Sequence, residues 1–247
     1  EAKDLTENRA YIELAPGQKS TVNGKLKVTA NTKGDAYAIT GPGSGETNFT
    51  LTMKSGTVNV SFACSETINL ADIRTADGAE GSEGELEVTG DLELTANNKP
   101  SKAMAEANTG GSVSLVDSCG VYAESFVTDR NKAAIGDYTK VTLTGAAANA
   151  ELTGTSDATS EASSYAGGGA SLKNGTKGSM AAFIGNRLES KPLATDREEA
   201  QSVEVGIGNG STLTAPGEIT LMANNYGKAE SEIKGGLQGS AVASKDN

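Results

Sequence analysis

Gly217-Glu218-Ile219-Thr220-Leu221-Met222-Ala223-Asn224 is the third appearance of one pattern, after Gly24-Lys25-Leu26-Lys27-Val28-Thr29-Ala30-Asn31 and Gly90-Asp91-Leu92-Glu93-Leu94-Thr95-Ala96-Asn97. Each copy opens on a glycine turn, sets aliphatic side chains at alternate positions with polar ones between, and closes on Ala-Asn. Alternation at period two predicts a short strand with one buried and one wet face. Three widely spaced copies predict an all-β solenoid in which each turn of chain buries the next.

Composition agrees with a narrow interior. The 247 residues include 31 glycines and 5 prolines, no Trp and only 4% aromatics, which leaves little bulk for a wide globular core. Low hydrophobicity with net charge also describes disordered chains, but disorder gives no reason for aliphatics on every second position. The formal charge of −11 makes a nucleic-acid partner or an anionic membrane surface an unsuitable match. No apolar run reaches the roughly 18–20 residues of a membrane span. The pattern starts almost at once and shows no polar cap at Lys245-Asp246-Asn247, so the expectation is one shaft segment over 1–247, cut from a longer repetitive protein.

In chain order, Tyr11 to Leu14 predicts an entry strand and Pro16-Gly17 a turn. Ala36, Ala38 and Thr40 alternate before the glycine-rich Gly41–Gly45 loop. Phe49, Leu51 and Met53, then Val58, Val60, Phe62 and Cys64, read as inward positions. Ala103, Ala105 and Ala107 suggest a tight interior, and Val113, Leu115, Cys119 and Val121 another inward set. Ile135-Gly136-Asp137, Ile184-Gly185-Asn186 and Ile207-Gly208-Asn209 repeat an inward Ile followed by a Gly-Asx corner, which favours positive φ. With a turn of about 20–25 residues, the gap between Gly24 and Gly90 is a small multiple of one turn. The charged stretch 188–201 fits that register poorly and is expected to project as a loop.

Chemistry-bearing residues are sparse. Without histidine there is no imidazole metal site and no serine-type triad. The outward pairs Glu85/Glu87, Asp91/Glu93 and Glu230/Glu232 have acid-and-base residue types, yet no aromatic side chain accompanies them to stack a sugar. Asp77 to Gly84 interleaves carboxylates with glycine as a calcium loop does, but matches neither an EF-hand nor a calcium β-roll, so a solvated turn is the simpler reading and no metal or cofactor is expected. Asn48, Asn59, Asn174 and Asn209 begin glycosylation sequons, an unremarkable number in so Asn-, Ser- and Thr-rich a chain. Cys64 and Cys119 both read as inward, either bridged between stacked turns or packed as two buried thiols.

The Gly90–Asn97 and Gly217–Asn224 strands, the Ala-rich strands and Gly-Gly turns after them, the Ile-Gly-Asx corners and the run Val203 to Leu213 together resemble the leukotoxin-type filamentous adhesins, exoproteins of Gram-negative bacteria secreted by the two-partner route. The resemblance covers about two thirds of the chain. It implies a right-handed parallel β-helix shaft at the cell surface, outside the family's amino-terminal secretion domain, with few disulfides. The expected function is that of a structural and adhesive shaft rather than an enzyme. Its partner would be a host or bacterial surface ligand, and the unpaired edges at either end would invite end-to-end association of copies. A β-helix carbohydrate-active enzyme is the alternative. An ice-binding solenoid would need a more regular Thr ladder than Thr139, Thr142, Thr144, Thr153 and Thr155 provide.

Overall fold

A computed structural model of the protein describes residues 1–40, 51–109, 113–166, 170–184, 202–235 and 239–240. The projecting loop expected at 188–201, the Gly41–Gly45 loop, Asn48 and the Gly185-Asn186 corner lie outside these residues. The described residues form sixteen β-strands and no helix. A first pass runs through β1 (Ala2–Leu14), β2 (Lys19–Val22), β3 (Leu26–Thr32) and β4 (Asp35–Thr40). A second runs through β5 (Leu51–Thr75), β6 (Gly84–Val88), β7 (Leu92–Asn98) and β8 (Ser101–Thr109). β9 (Val113–Ile135), β10 (Thr139–Leu143) and β11 (Ala150–Ala166) follow, then β12 (Ala170–Ile184), β13 (Ser202–Ile207), β14 (Thr212–Thr214), β15 (Ile219–Gly235) and β16 (Gly239–Ser240).

These strands build three sheets whose pairs are all parallel. One runs β1-β5-β9-β12-β16 with β13 also on β9. A four-stranded sheet runs β2-β6-β10-β14, and the third joins β3 and β4 to β7 and β8, these to β11, and β11 to β15. The three sequence echoes fall in one sheet and one register: Leu26 pairs with Leu92, Leu92 with Ala150, and Ala150 with Ile219. Ile12, Ile73, Ile135 and Ile207 form a second column. The short turn expected from the sequence is wrong. In the four-stranded sheet the chain comes back to its own neighbour only after running from Gly84 to Thr139, or from Lys140 to Thr212, and the whole gap from Gly24 to Gly90 is likewise a single return. The third copy also runs on as strand past Asn224, to Gly235.

Stacking sets the glycines that open the second and third echoes, and a left-handed backbone sets the first. A Cβ on Gly90 would stand 2.7 Å from the backbone of Gly24, itself at φ 98°, and one on Gly217 would stand 2.4 Å from Asn149 Oδ1. Only glycine lets one turn lie that close on another. At the Gly-Asx corners the positive φ falls one residue later than the sequence suggests, on Tyr138 and Gly210.

The interior is divided along the strands. Near the four-stranded sheet lies an aliphatic core of Leu14, Ile73, Leu86, Val88, Leu92, Leu94, Ile135, Val141 and Leu152. Further along, alanines dominate, with Ala36, Ala38, Ala63, Ala103, Ala105, Ala107, Ala123, Ala158 and Ala162 packed together. Small residues there let the walls touch: Ser61 Oγ donates to the carbonyl of Ala38 on the facing sheet at 2.6 Å, and Ser125 and Ser160 hydroxyls meet at 2.8 Å. This narrow gap corrects the inward reading of Val60, Phe62 and Cys64. The inward positions of β5 are Ser61, Ala63, Ser65, Thr67, Asn69, Ala71 and Ile73; Phe62 and Cys64 form a separate cluster with Phe126 on the outer face, and Val60 is 41% exposed. A phenyl ring is too large for a gap that a serine bridges.

Candidate functional site

Between the aliphatic and alanine cores runs a buried polar belt centred on Asp129, which β9 carries inward two positions before Asn131. One carboxylate oxygen of Asp129 accepts from Thr67 Oγ1 at 2.5 Å, and the other accepts from Asn98 Nδ2 at 2.7 Å and Ser156 Oγ at 3.1 Å. Thr67 lies one rung away on β5; Asn98 and Ser156 come from the facing sheet. Asn98 is the hub. Its Nδ2 also reaches Ser101 Oγ and the Asp157 carbonyl, while its Oδ1 accepts from Asn131 Nδ2 at 3.0 Å and from the Asp157 amide at 3.0 Å.

An amide column adds bonds perpendicular to the strands, since Asn8, Asn69 and Asn131 share one register position on β1, β5 and β9. Asn69 Nδ2 donates to Asn131 Oδ1 at 2.7 Å, and Asn131 Nδ2 donates to the Thr155 carbonyl at 2.8 Å. The column ends at Asn8, which instead donates to the Asn31 carbonyl at 3.0 Å and leaves Asn69 Oδ1 unpartnered. Burial pushes the Asp129 carboxyl above the usual carboxylate range, with hydrogen bonds from Thr67, Ser101 and Ser156 pulling it back. With donors on both oxygens, Asp129 serves as a fixed acceptor tying two sheets together. The sequence reading missed this belt. Its signal was the nearly even spacing of Asn8, Asn69 and Asn131, visible only once the length of a return is known.

The outward carboxylates lie in charge ladders. Glu85 faces its pairing partner Lys140 at 3.9 Å, and Glu87 meets Lys19 diagonally on the neighbouring strand at 2.5 Å. Glu93 takes Lys25 at 2.9 Å and Lys27 at 2.5 Å, and those bonds hold its carboxyl below the usual range. Asp91 Oδ1 accepts from the Asn149 amide at 2.9 Å, and Glu230 meets Lys228 at 2.8 Å. Glu85, Glu87, Asp91, Glu93 and Glu230 are thus each set against a cation or an amide.

The acidic glycine loop is a turn laid on its neighbour. The Gly17 amide donates to the Ser82 and Glu83 carbonyls, Ser82 N to the Ala79 carbonyl, and Glu83 lies 3.5 Å from Lys140. Among the described residues no three His, Cys, Asp or Glu side chains converge as a metal ion requires. No described helix is long and apolar enough to cross a membrane. Of the sequons, Asn59 donates to the Asn108 carbonyl and Asn209 sits in the corner over Asp137.

The two cysteines lie on neighbouring strands but far out of step. Cys64 is the rung partner of Phe126, whereas Cys119 is the partner of Thr57. An offset of seven residues amounts to about 23 Å along the strand, against the roughly 4.4–6.8 Å between Cα atoms that a disulfide spans. A bridge between them is out of reach in this register.

The described residues thus define an all-β protein of parallel, in-register sheets packed over a layered interior. No protein-family model, curated protein or solved structure matches the chain.

Proposed function

We propose that the chain is a structural and adhesive shaft segment of an extracellular bacterial fibrous adhesin, wound as a right-handed parallel β-helix and acting mechanically rather than catalytically. The observation that carries this reading is the repeated return of the chain to one register, with Leu26, Leu92, Ala150 and Ile219 on a single line through four strands. In such a winding the backbone ladders run along the long axis. A pull along that axis loads every bond between two passes at once, so the bonds share the force instead of opening singly. The outer skin of Thr, Ser, Asn and paired charges suits contact with water or a polar surface, and a shaft needs no cofactor.

Antibodies raised against the 77–84 loop test the assignment directly. They should label intact cells of the source bacterium and decorate surface fibres in electron micrographs. Labelling that appears only after lysis would contradict a surface shaft.

A further inference from the structure

We infer that one ordered water molecule is bound inside the polar belt between the first and second passes of the chain, bridging Asn69 Oδ1 and Thr32 Oγ1. Both oxygens are buried, on residues 0% and 9% exposed, and neither has a hydrogen-bond partner among the described residues. Buried polar groups are satisfied by protein or by ordered water, and a water needs two or more polar partners to stay.

The register explains why the network is incomplete at this level. Moving back one pass turns Asn131 into Asn69, Asp129 into Thr67 and Asn98 into Thr32. At the later level Asn131 Nδ2 donates to Asn98 Oδ1 at 3.0 Å, and Asn98 Nδ2 donates to Asp129 at 2.7 Å. One long amide thus fills the space and joins both. Threonine is one non-hydrogen atom smaller than asparagine or aspartate, so the earlier level is short at both Thr32 and Thr67. The direction of the free oxygen follows from the planar amide of Asn69. Its Nδ2 is drawn to Asn131 Oδ1 at 2.7 Å on the later pass, so Oδ1 turns toward the earlier one, where Thr32 lies. Asn8, its neighbour in the column, is already engaged. The Asn8 Nδ2 donates to the Asn31 carbonyl at 3.0 Å, the counterpart of the bond that Asn131 makes with Thr155.

Water matches both groups. It donates to the amide oxygen of Asn69, which only accepts, and either donates to or accepts from the Thr32 hydroxyl. Its share of volume, about 30 Å³, is of the order of the missing side-chain atoms. A sodium or potassium ion would also take oxygen ligands, but the belt carboxylates are committed elsewhere. Asp4 accepts from Thr6 Oγ1 and the Asp35 amide, and Asp129 has donors on both oxygens. A buried charge without a counter-charge is strongly disfavoured.

The test combines a crystal structure of the wild-type chain, at a resolution that shows ordered solvent, with deuteron magnetic relaxation dispersion, which counts long-lived internal waters in solution. The crystal should show one solvent peak within about 3.2 Å of both Asn69 Oδ1 and Thr32 Oγ1. Thr32→Asn restores the longer amide of the later level and should displace that water. The excess relaxation should then fall by the amplitude of one molecule, with the wild-type circular dichroism retained. Thr153→Asn, on the outer face of the same sheet, should leave the amplitude unchanged. The wild-type crystal structure decides the matter even where Thr32→Asn does not fold. A direct bond between Thr32 and Asn69, an Asn8 amide turned onto Asn69 Oδ1, or an unchanged amplitude in folded Thr32→Asn would each overturn the proposal. So would a loss of stability when sodium is exchanged for choline, since that marks a metal ion in place of water.

Discussion

The aliphatic core and the polar belt occupy the same interior, on the same strands, yet hold it in different ways. Leu92, Leu94, Ile73, Ile135 and Leu152 are removed from water without polar obligations, and burial of that kind is the main favourable term in folding. Asp129, Asn98, Asn69 and Asn131 give up hydration for bonds whose net gain is about 0.5–1.5 kcal/mol each. What the belt adds is selectivity. Leucines tolerate sliding and repacking, but a slip of one position would separate Asn98 from Asp129 and Asn131 from Thr155, leaving buried polar groups unpaired. The aliphatic end supplies most of the cohesion, and the belt fixes which rung meets which.

The heaviest loss should come from the aliphatic side. Leu94→Ala should cost about 2–5 kcal/mol, the usual range for emptying a fully buried leucine site, read from the midpoint of denaturant unfolding. If it costs less than Asn98→Ala, the division of labour is reversed.

Asn98→Ala is expected next, at about 2–3 kcal/mol, because it strips an acceptor from Asn131 and a donor from Asp129 and leaves both buried. Hydrogen exchange should show the loss spreading to both facing sheets. A loss confined to β7 would mean that the belt does not couple them.

Ala105→Leu probes the narrow part of the interior. A larger side chain beside buried Ala107 on the same strand and Ala162 on the paired strand should overpack it at about 1–3 kcal/mol.

The response to pH separates the two regions further. Asp129 has a folded-state pKa raised above its unfolded value, so the folded state binds the proton more tightly. Its stabilising contribution is therefore fully present below the usual aspartate pKa and is lost as pH rises through the folded pKa. Asp129→Asn can keep the network by turning its amide group to Thr67 and its oxygen to Asn98 and Ser156. Relative to wild type it should gain stability across that window and show no further change above it. A gap between the two that is flat with pH would remove Asp129 as the cause. The smallest effect belongs to the outer ladders, where Lys27→Ala should change stability by under about 1 kcal/mol despite its 2.5 Å contact with Glu93.

Much of this architecture was legible in the chain. Gly24, Gly90 and Gly217 mark the turns, the aliphatics after them mark one interior line, and Ala103, Ala105 and Ala107 are inward as their alternation predicts. The length of a return was not legible, because the gap between the Gly24 and Gly90 echoes admits any divisor until pairing is seen. The parity of β5 failed for a related reason. Both of its faces carry apolar residues near Phe62 and Ala63, and hydrophobicity alone points the phenylalanine inward, whereas the width set by the facing alanines admits only the smaller set. The polar belt was hidden because polar residues at inward positions look like strand ends until their partners on the facing sheet are known.

The length of a return also changes the picture of the proposed shaft. Among the described residues the longest sheet path has five strands, which rise about 19 Å at roughly 4.8 Å per step. Each return of the chain thus adds only one strand spacing to the length of the proposed shaft.

Everything rests on residues as distant in sequence as Thr29 and Thr95 lying one rung from each other, and engineered cross-links probe that placement. In a chain with Cys64→Ala and Cys119→Ala, the pair Thr29→Cys and Thr95→Cys occupies neighbouring rungs. The pair Thr29→Cys and Thr153→Cys lies two rungs apart, about 9.6 Å. Mild oxidation should bridge the first pair within one molecule, without loss of the strand signal in circular dichroism, and leave the second reduced. A first pair that stays reduced in folded protein, or a second that bridges as readily, would contradict the stacked register.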